Sequence, residues 1–97
     1  MILSERETPK GLLVAVCDSD ILGKTFVNGD VSLTVTEEFY GTEEATEEAV
    51  ISSLSRASVA NIVGTNAVAI AIENGFIDKD HVLKVGDTVH AQMLRMA

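Results

Sequence analysis

The 97-residue sequence has little of several residue types, and each shortage excludes a class of protein. It contains one cysteine, one proline, three phenylalanines, one tyrosine and no tryptophan. A single cysteine rules out an intrachain disulfide and fits a reducing compartment. Because aromatic residues are so few, the hydrophobic core must be built from Val, Ile, Leu and Ala.

Long apolar runs are also missing. No unbroken run is longer than the six residues of Ala67 to Ile72, whereas a membrane-spanning helix needs roughly 18. The apolar start, Met1 to Leu3, is too short for a signal peptide. We therefore expect a cytoplasmic protein that does not bind membranes and forms a single domain over residues 1–97.

Positive charge is scarce as well. Seven Lys and Arg residues face fifteen Asp and Glu residues, which gives a net charge of −8. Direct binding to nucleic acid is disfavoured over most of such a surface. Six glutamates are concentrated in one short segment: Glu37, Glu38, Glu43, Glu44, Glu47 and Glu48. They lack the ligand spacing of a calcium loop, so we favour a solvated face over a metal site, with a docking surface for a basic partner as the alternative.

Apolar residues are abundant in the centre of the chain. Ten of the fourteen residues from Val59 to Ile72 are apolar, and we interpret Val59–Ile77 as a buried helical region. Gly64 marks an elbow between two helices, Thr65 is an N-cap, and Asn74-Gly75 is a stop signal. Since one sheet covers only one side of such a helix, we expect a second helix or self-association through Val59–Ile72 to cover the rest.

The remaining segments alternate between strand and helix patterns. Strands are predicted at Ile2–Glu7, Leu12–Cys17, Val31–Thr36, Val82–Val85 and Val89–Met96. A helical turn capped by Asp18 is predicted at Ser19–Leu22, and a long helix capped by Thr42 follows. The inward stripe of that helix is Ala45, Ala49, Val50, Leu54 and Ala57. These elements predict an α+β fold: a mostly antiparallel sheet of about five strands with two long helices packed on one face.

Two patterns resemble chemical motifs. Gly23-Lys24-Thr25 follows an apolar strand like the end of a phosphate-binding loop, but Asp18 occupies the position where that loop needs its first glycine. A looser phosphate contact by Lys24 and Thr25 remains an alternative to a plain turn. Cys17 and His90 are the available nucleophile–base candidates, but a thiol that ends an apolar strand is usually an inert small hydrophobe. We therefore predict no catalytic residues, no metal ligands and no cofactor.

Three further polar residues are candidates for contact with a ligand or partner. Asn61 is the one polar side chain inside its apolar run, and we favour a structural role, satisfying backbone groups at the elbow, over a ligand-facing amide. His90 and Gln92 share one face of the last strand and form the best small polar patch, which we place beside Lys24. The alternative is the wet face of a terminal strand.

Five segments in order match a known pattern: Val14–Asp18, Leu22–Phe26, Phe39–Gly41, Ala60–Gly64 and His90–Gln92. This sequence resembles the small archaeal proteins grouped as domain of unknown function 424. The resemblance implies an archaeal, cytoplasmic protein with no assigned reaction or ligand, and a link to translation and RNA-handling genes.

Three hypotheses follow. The first is a non-enzymatic interaction module, expected to be a homodimer, with a protein partner in translation or RNA metabolism. The second is a small ligand-binding or catalytic domain that uses Lys24, His90 and Gln92. The third is a structural subunit of a larger assembly.

Overall fold

A mixed five-stranded sheet forms the centre of the computed structural model, which describes residues 1–95. Its strand order is β1-β2-β5-β7-β6. The strands are β1 (Ile2–Thr8), β2 (Gly11–Cys17), β5 (Val59–Val63), β6 (Leu83–Val85) and β7 (Thr88–Leu94). Neighbouring strands are antiparallel except β2 and β5, which are parallel. The predicted α+β class and mostly antiparallel sheet are confirmed.

The middle strand of this sheet corrects the prediction for the start of the central apolar region. Val59–Val63 is β5, not a helix, and it pairs with β2 on one side and β7 on the other. Gly64 therefore marks an elbow between a strand and a helix. β-Branched Val59, Ile62 and Val63 favour the extended chain, and a strand with a neighbour on each side is expected to be apolar on both faces.

The helix after the elbow, α3, spans Thr65–Glu73 and contains the whole Ala67–Ile72 run. Its N-cap is Gly64 rather than Thr65. The predicted stop is confirmed: Gly75 has a φ of +77°, and the Phe76 N–H donates to the Ala71 carbonyl at 2.9 Å. A glycine in the left-handed conformation, followed by an N–H that donates back to a carbonyl of the last helical turn, is a common way for a helix to end.

A separate hairpin, β3 (Thr25–Asn28) and β4 (Val31–Thr34), is not part of the main sheet. The predicted strand at Val31–Thr36 is therefore a strand over its first four residues, but it belongs to this hairpin. Short 3-10 turns precede two strands, at Ser19–Ile21 and Lys79–His81. The predicted number of strands in the main sheet is therefore correct, but one predicted member is wrong: β5 stands in the sheet where β4 was expected.

Two helices, not one, occupy the glutamate-rich region. α1 (Glu37–Tyr40) is capped by Thr36, and α2 (Glu47–Arg56) is capped by Thr46, whose side chain accepts from the Ala49 N–H. The predicted Thr42 cap is wrong, so Glu43 and Glu44 do not lie in a helix. Residues 43–45 instead run beside the start of β1. Of the predicted inward stripe, Val50, Leu54 and Ala57 are buried, whereas Ala49 is exposed.

The side chains of the sheet divide into two core clusters on its two faces. Leu12, Val14 and Val16 of β2 pack in one cluster with side chains from α2 and α3. Ala15 and Cys17, which alternate with them, pack in the other with residues of α1, β4 and the adjoining segments. The last hairpin is confirmed as β6 and β7, although the predicted end of its second strand, Met96, lies outside the described residues.

Candidate functional site

A cluster of polar side chains lies on the sheet face that α1 covers. β5 contributes Asn61, β7 contributes His90, and α1 contributes Tyr40. The Asn61 Oδ1 accepts from the Tyr40 hydroxyl at 3.1 Å and lies 2.6 Å from the His90 Nε2. Asn61 thus joins α1 to two strands. This contact differs from the predicted one with backbone groups at the elbow.

Local sequence explains how Tyr40 reaches this position. Thr36 caps α1 by accepting from the Phe39 N–H at 3.3 Å, and Gly41 ends the helix with a φ of +78°. The Phe39 and Tyr40 rings meet edge to face, with centroids 4.9 Å apart. One short helical turn is therefore enough to hold the Tyr40 ring, which is only 2% exposed, above the sheet.

The hydrogen bonds and burial of the cluster set its protonation. Because the Asn61 oxygen only accepts, its bond to His90 places a proton on Nε2. Burial lowers the pKa of His90 below its ordinary 6.5, so the ring is neutral at neutral pH. Burial, together with nearby Cys17, raises the pKa of Tyr40 to about 12. The cluster is uncharged, and each of its three side chains has a partner within it.

Cys17 lies close to this cluster but does not pair with His90. Register places Cys17 beside Val63 and Val63 beside His90. Two strand spacings of roughly 4.8 Å therefore separate the two backbones. Burial, followed by the neighbouring Asp18 charge, raises the pKa of the Cys17 thiol to about 11. Since the thiolate is the nucleophilic form, Cys17 is held in its unreactive state.

Asp18, the residue after β2, places its carboxylate at the N-terminal end of α3. Its carboxylate is 6% exposed and accepts from the Asn66 N–H at 3.0 Å and the Ala67 N–H at 2.8 Å. These are amides of the first turn of α3, and the first turn of a helix favours negatively charged groups. Asp18 is the N-cap residue of the turn that follows it, as predicted, but its side chain makes no capping hydrogen bond to that turn.

The remaining candidates lie apart from the cluster. Lys24 and Thr25 are exposed and lead into a strand rather than a helix, which is unlike a phosphate-binding loop. The Thr25 hydroxyl bonds the Thr34 hydroxyl at 2.8 Å. No hydrogen bond or salt bridge within residues 1–95 joins either residue to His90 or Gln92. Gln92 is exposed and sits directly across from Asn61 in the β5–β7 pair.

Sequence reasoning missed Tyr40 and the true partner of Asp18. The glutamates on both sides of Tyr40 suggest an exposed segment, so the sequence gives little indication that this ring is buried. The Asp18 contact spans 48 and 49 residues of sequence, so no local pattern could show it. Gly64 offered one clue: a glycine directly after an apolar run indicates a close approach, and here its Cβ would lie 2.6 Å from the Asp18 Oδ2.

Neither a metal centre nor a membrane span is found in residues 1–95. No three His, Cys, Asp or Glu side chains in that range are arranged to hold a metal ion. No helix in that range is both long enough and apolar enough to cross a bilayer.

The fold defines a small α+β protein built on a mixed five-stranded sheet with a strand-to-helix elbow at its centre. The chain belongs to the family described as "Protein of unknown function (DUF424)", whose sequence model matches residues 5–96. No curated protein is similar enough in sequence to indicate a reaction.

The crystal structure of an uncharacterized conserved protein from Methanopyrus kandleri has the same fold. The two chains are 20% identical, with a TM-score of 0.79, and the match covers 99% of this chain and 93% of the other. Identity at this level shows the fold alone.

Proposed function

We propose that this protein is a small non-enzymatic interaction module. The observation that carries the proposal is the neutral Tyr40–Asn61–His90 cluster. Its groups bond one another, and His90 lacks the neighbouring nucleophile that a base must activate. No buried polar side-chain atom in residues 1–95 lacks a hydrogen-bond partner. The interior polar groups therefore serve the fold, and the surface is left to carry the function.

The partner we propose is a protein of translation or RNA metabolism in the cytoplasm. The net charge of −8 opposes direct contact with phosphates, so a protein in that setting suits this chain better than the nucleic acid itself. Cys17 is buried and forms no disulfide within the chain, which agrees with a reducing compartment.

Copurification tests this proposal. Tagged protein is recovered from an extract of the source cells and washed at high salt, and bound proteins are identified and quantified by mass spectrometry. We expect one ribosomal or RNA-linked protein in stoichiometric amount. Recovery of the tagged chain alone, at cellular expression level, would contradict the proposal.

A ligand-binding role for Lys24, His90 and Gln92 is the competing hypothesis, and it can be separated from the first. Lys24 and Gln92 are both exposed, so Lys24→Ala and Gln92→Ala should leave the fold intact. A metabolite that raises the melting temperature of the wild type but of neither variant would support a small-molecule site. An interaction module predicts no such difference.

We further propose that the module self-associates through the outer side of α3. Ala69 is exposed and Ile70 and Ile72 are half-buried, while Thr65–Ile72 carries no charged side chain. The sequence predicts self-association through Val59–Ile72, but most of β5 is buried within the sheet. We therefore limit the proposed interface to α3. Two copies packed on this side would shelter the remaining apolar area.

Light scattering tests the self-association. The wild-type chain, of 10.3 kDa, should give twice that mass at micromolar concentration. Ala69→Glu places a charge in the proposed interface and should return the mass of one chain. Ser52→Glu, an equal change at an exposed position of α2, should have no effect. A monomeric wild type would remove the dimer from the proposal.

A further inference from the structure

The two edges of the main sheet are protected to different extents. β6 has three residues and faces the separate hairpin, where the Asn28 side-chain amide donates to the Lys84 carbonyl at 3.3 Å. β1 has seven residues. Within the described residues, 1–95, only its beginning is covered: the Leu3 N–H donates to the Glu43 carbonyl at 3.1 Å, and the Ala45 N–H donates to the Met1 carbonyl at 2.8 Å.

Register identifies which backbone groups of β1 remain at the open edge. Thr8 pairs with Gly11 across the hairpin turn, and Leu3 donates outward to Glu43. Since backbone groups alternate in direction along an antiparallel strand, the even-numbered residues face β2 and the odd-numbered residues face outward. Glu5 and Glu7 therefore present their N–H and C=O groups at the edge. No backbone partner for them is found within residues 1–95.

A cavity lies on each side of this edge. The first, about 360 Å³, lies on the α2 side and is lined by Leu3, Glu5, Glu43, Ala49, Ser52 and Arg56. The second, about 330 Å³, is lined by Leu3, Ser4, Glu5, Gly41 and Glu43. A strand added beside β1 would point successive side chains to opposite faces of the sheet, so its alternate residues would enter the two cavities in turn.

Charge selects the occupant of this edge. Glu5 and Glu43 line both cavities, and Glu7 lies further along the same strand. The Glu5 carboxylate is already bound by the Arg56 guanidinium at 2.6 Å, whereas no salt bridge within residues 1–95 involves Glu7 or Glu43, so these two carboxylates are the ones left to attract a cation. Two copies of β1 paired antiparallel about Arg6 would place Glu5 opposite Glu7 twice, and like charges directly opposite are destabilising. A strand that carries lysine or arginine avoids this repulsion and gains attraction instead.

We propose that the outer edge of β1 binds an extended basic segment of a partner protein by strand addition. Main-chain hydrogen bonds to Glu5 and Glu7 supply the attachment, and the two cavities select the side chains. Apolar residues suit the cavity with Leu3 and Ala49, and basic residues suit the cavity with Ser4 and Glu43. This inference rests on the proposed interaction function and names the surface and partner chemistry for it.

A matched pair of variants isolates the backbone contribution. Glu7→Pro removes the carboxylate and the outward N–H, whereas Glu7→Gln removes only the carboxylate. Proline is tolerated on an edge strand where its missing N–H would face solvent, so the ladder to β2 should survive. Circular dichroism and thermal melting check that both variants are folded.

The probe is a fluorescent nine-residue peptide of alternating lysine and valine, followed by anisotropy. Glu7→Gln should weaken binding by about twofold to fivefold, as for one exposed charge. Glu7→Pro should weaken it by about tenfold more, as for one lost hydrogen bond. The same peptide N-methylated through its central residues keeps its charge but cannot add as a strand, and it should not bind measurably.

A second readout does not depend on the proline variant. In the wild type, the peptide should slow hydrogen exchange of the Glu5 and Glu7 amides, measured by NMR. Equal binding by the two variants, or by the N-methylated peptide, would overturn the edge site and reduce the interaction to nonspecific charge attraction. If a partner found by copurification is retained equally by both variants, the edge site is wrong while the interaction function stands.

Discussion

The contact between Asp18 and the start of α3 gives the sharpest stability prediction. Replacing Asp18 with Ala removes the acceptor for the Asn66 and Ala67 amides, at 3.0 and 2.8 Å. Asn66 is exposed, so water can replace the carboxylate as the acceptor for its amide, whereas the hydrogen bond from the Ala67 amide is buried. An unsatisfied buried donor costs about 1–3 kcal/mol, and loss of a helix cap costs about 0.5–2 kcal/mol. We therefore expect the free energy of unfolding to fall by about 3 kcal/mol.

Urea unfolding followed by circular dichroism measures this change. With a slope of about 1 kcal/mol per molar urea for a small domain, the midpoint should fall by about 3 M with the slope unchanged. Asp20→Ala is the matched control, because Asp20 is exposed and carries the same charge two residues away. It should change stability by less than about 0.5 kcal/mol. If Asp18→Ala is no more destabilising than this control, the carboxylate does not hold the helix.

Gly64 provides an independent check of the same contact. A Cβ at this position would overlap the Asp18 carboxyl group, and the residue has a φ of +113°. Gly64→Ala should therefore destabilise the protein through both overlap and backbone strain. In the double variant with Asp18→Ala the overlap with the carboxyl group disappears, whereas the 2.8 Å approach to the Cβ of residue 18 and the backbone strain stay. The combined loss should therefore be smaller than the sum of the two single losses by about 1 kcal/mol. Additive losses would show that the two residues do not touch.

The polar cluster gives two further predictions. Because the pKa of His90 lies below 6.5 in the folded protein, the unfolded chain binds a proton more readily, so the free energy of unfolding should fall as pH drops below about 6.5. His90→Gln should make the urea midpoint depend less on pH between about pH 7 and about pH 5.5. A midpoint that changes with pH as strongly in His90→Gln as in the wild type would contradict this assignment. Tyr40→Phe removes one of two bonds to Asn61 and should cost about 1 kcal/mol, whereas Asn61→Leu leaves two donors without an acceptor and should cost about 2–4 kcal/mol. Equal losses in urea unfolding would mean that the cluster is not joined through Asn61.

The sequence predicts most strands of this fold because their patterns are locally complete. β2 is apolar on both faces, and its hairpin with β1 is marked by the Thr8–Gly11 turn. β5 was harder to recognise, because a strand buried on both faces and a buried helix are both continuously apolar. Length was the usable signal. Gly64 leaves only five residues from Val59 to Val63, which is ordinary for a strand and short for a helix.

The first long helix shows a different limit. Thr42 and Thr46 are each followed by two glutamates and an alanine, so local pattern gives two equal helix starts. Tertiary contact decides between them. The Glu43 carbonyl and the Ala45 N–H bond the backbone of residues 1–3, which holds residues 43–45 extended and delays the helix to Glu47. Neither partner can be identified from the segment itself.

The candidate site was predictable in its members but not in their arrangement. Asn61 and His90 were selected because they are polar residues in apolar surroundings, and their side chains do meet. Lys24 is predicted to lie beside the His90–Gln92 patch. Lys24 instead leads into β3 of the separate hairpin, and no side-chain hydrogen bond or salt bridge joins it to the cluster within residues 1–95.

The segments that carry the family resemblance contain the polar residues and glycines that hold the elements together. Asp18 fixes the start of α3, Gly64 gives that carboxylate room, and Tyr40, Asn61 and His90 tie α1 to the sheet. Residues so engaged can identify a fold without performing a reaction. At the open edge of β1, Asp18, Gly64, Tyr40, Asn61 and His90 line neither cavity. Mutating the buried residues of the family-like motifs would therefore measure stability, whereas variants at exposed positions, Glu7 and Ala69 for the proposed surfaces and Lys24 and Gln92 for the competing ligand site, can report on binding.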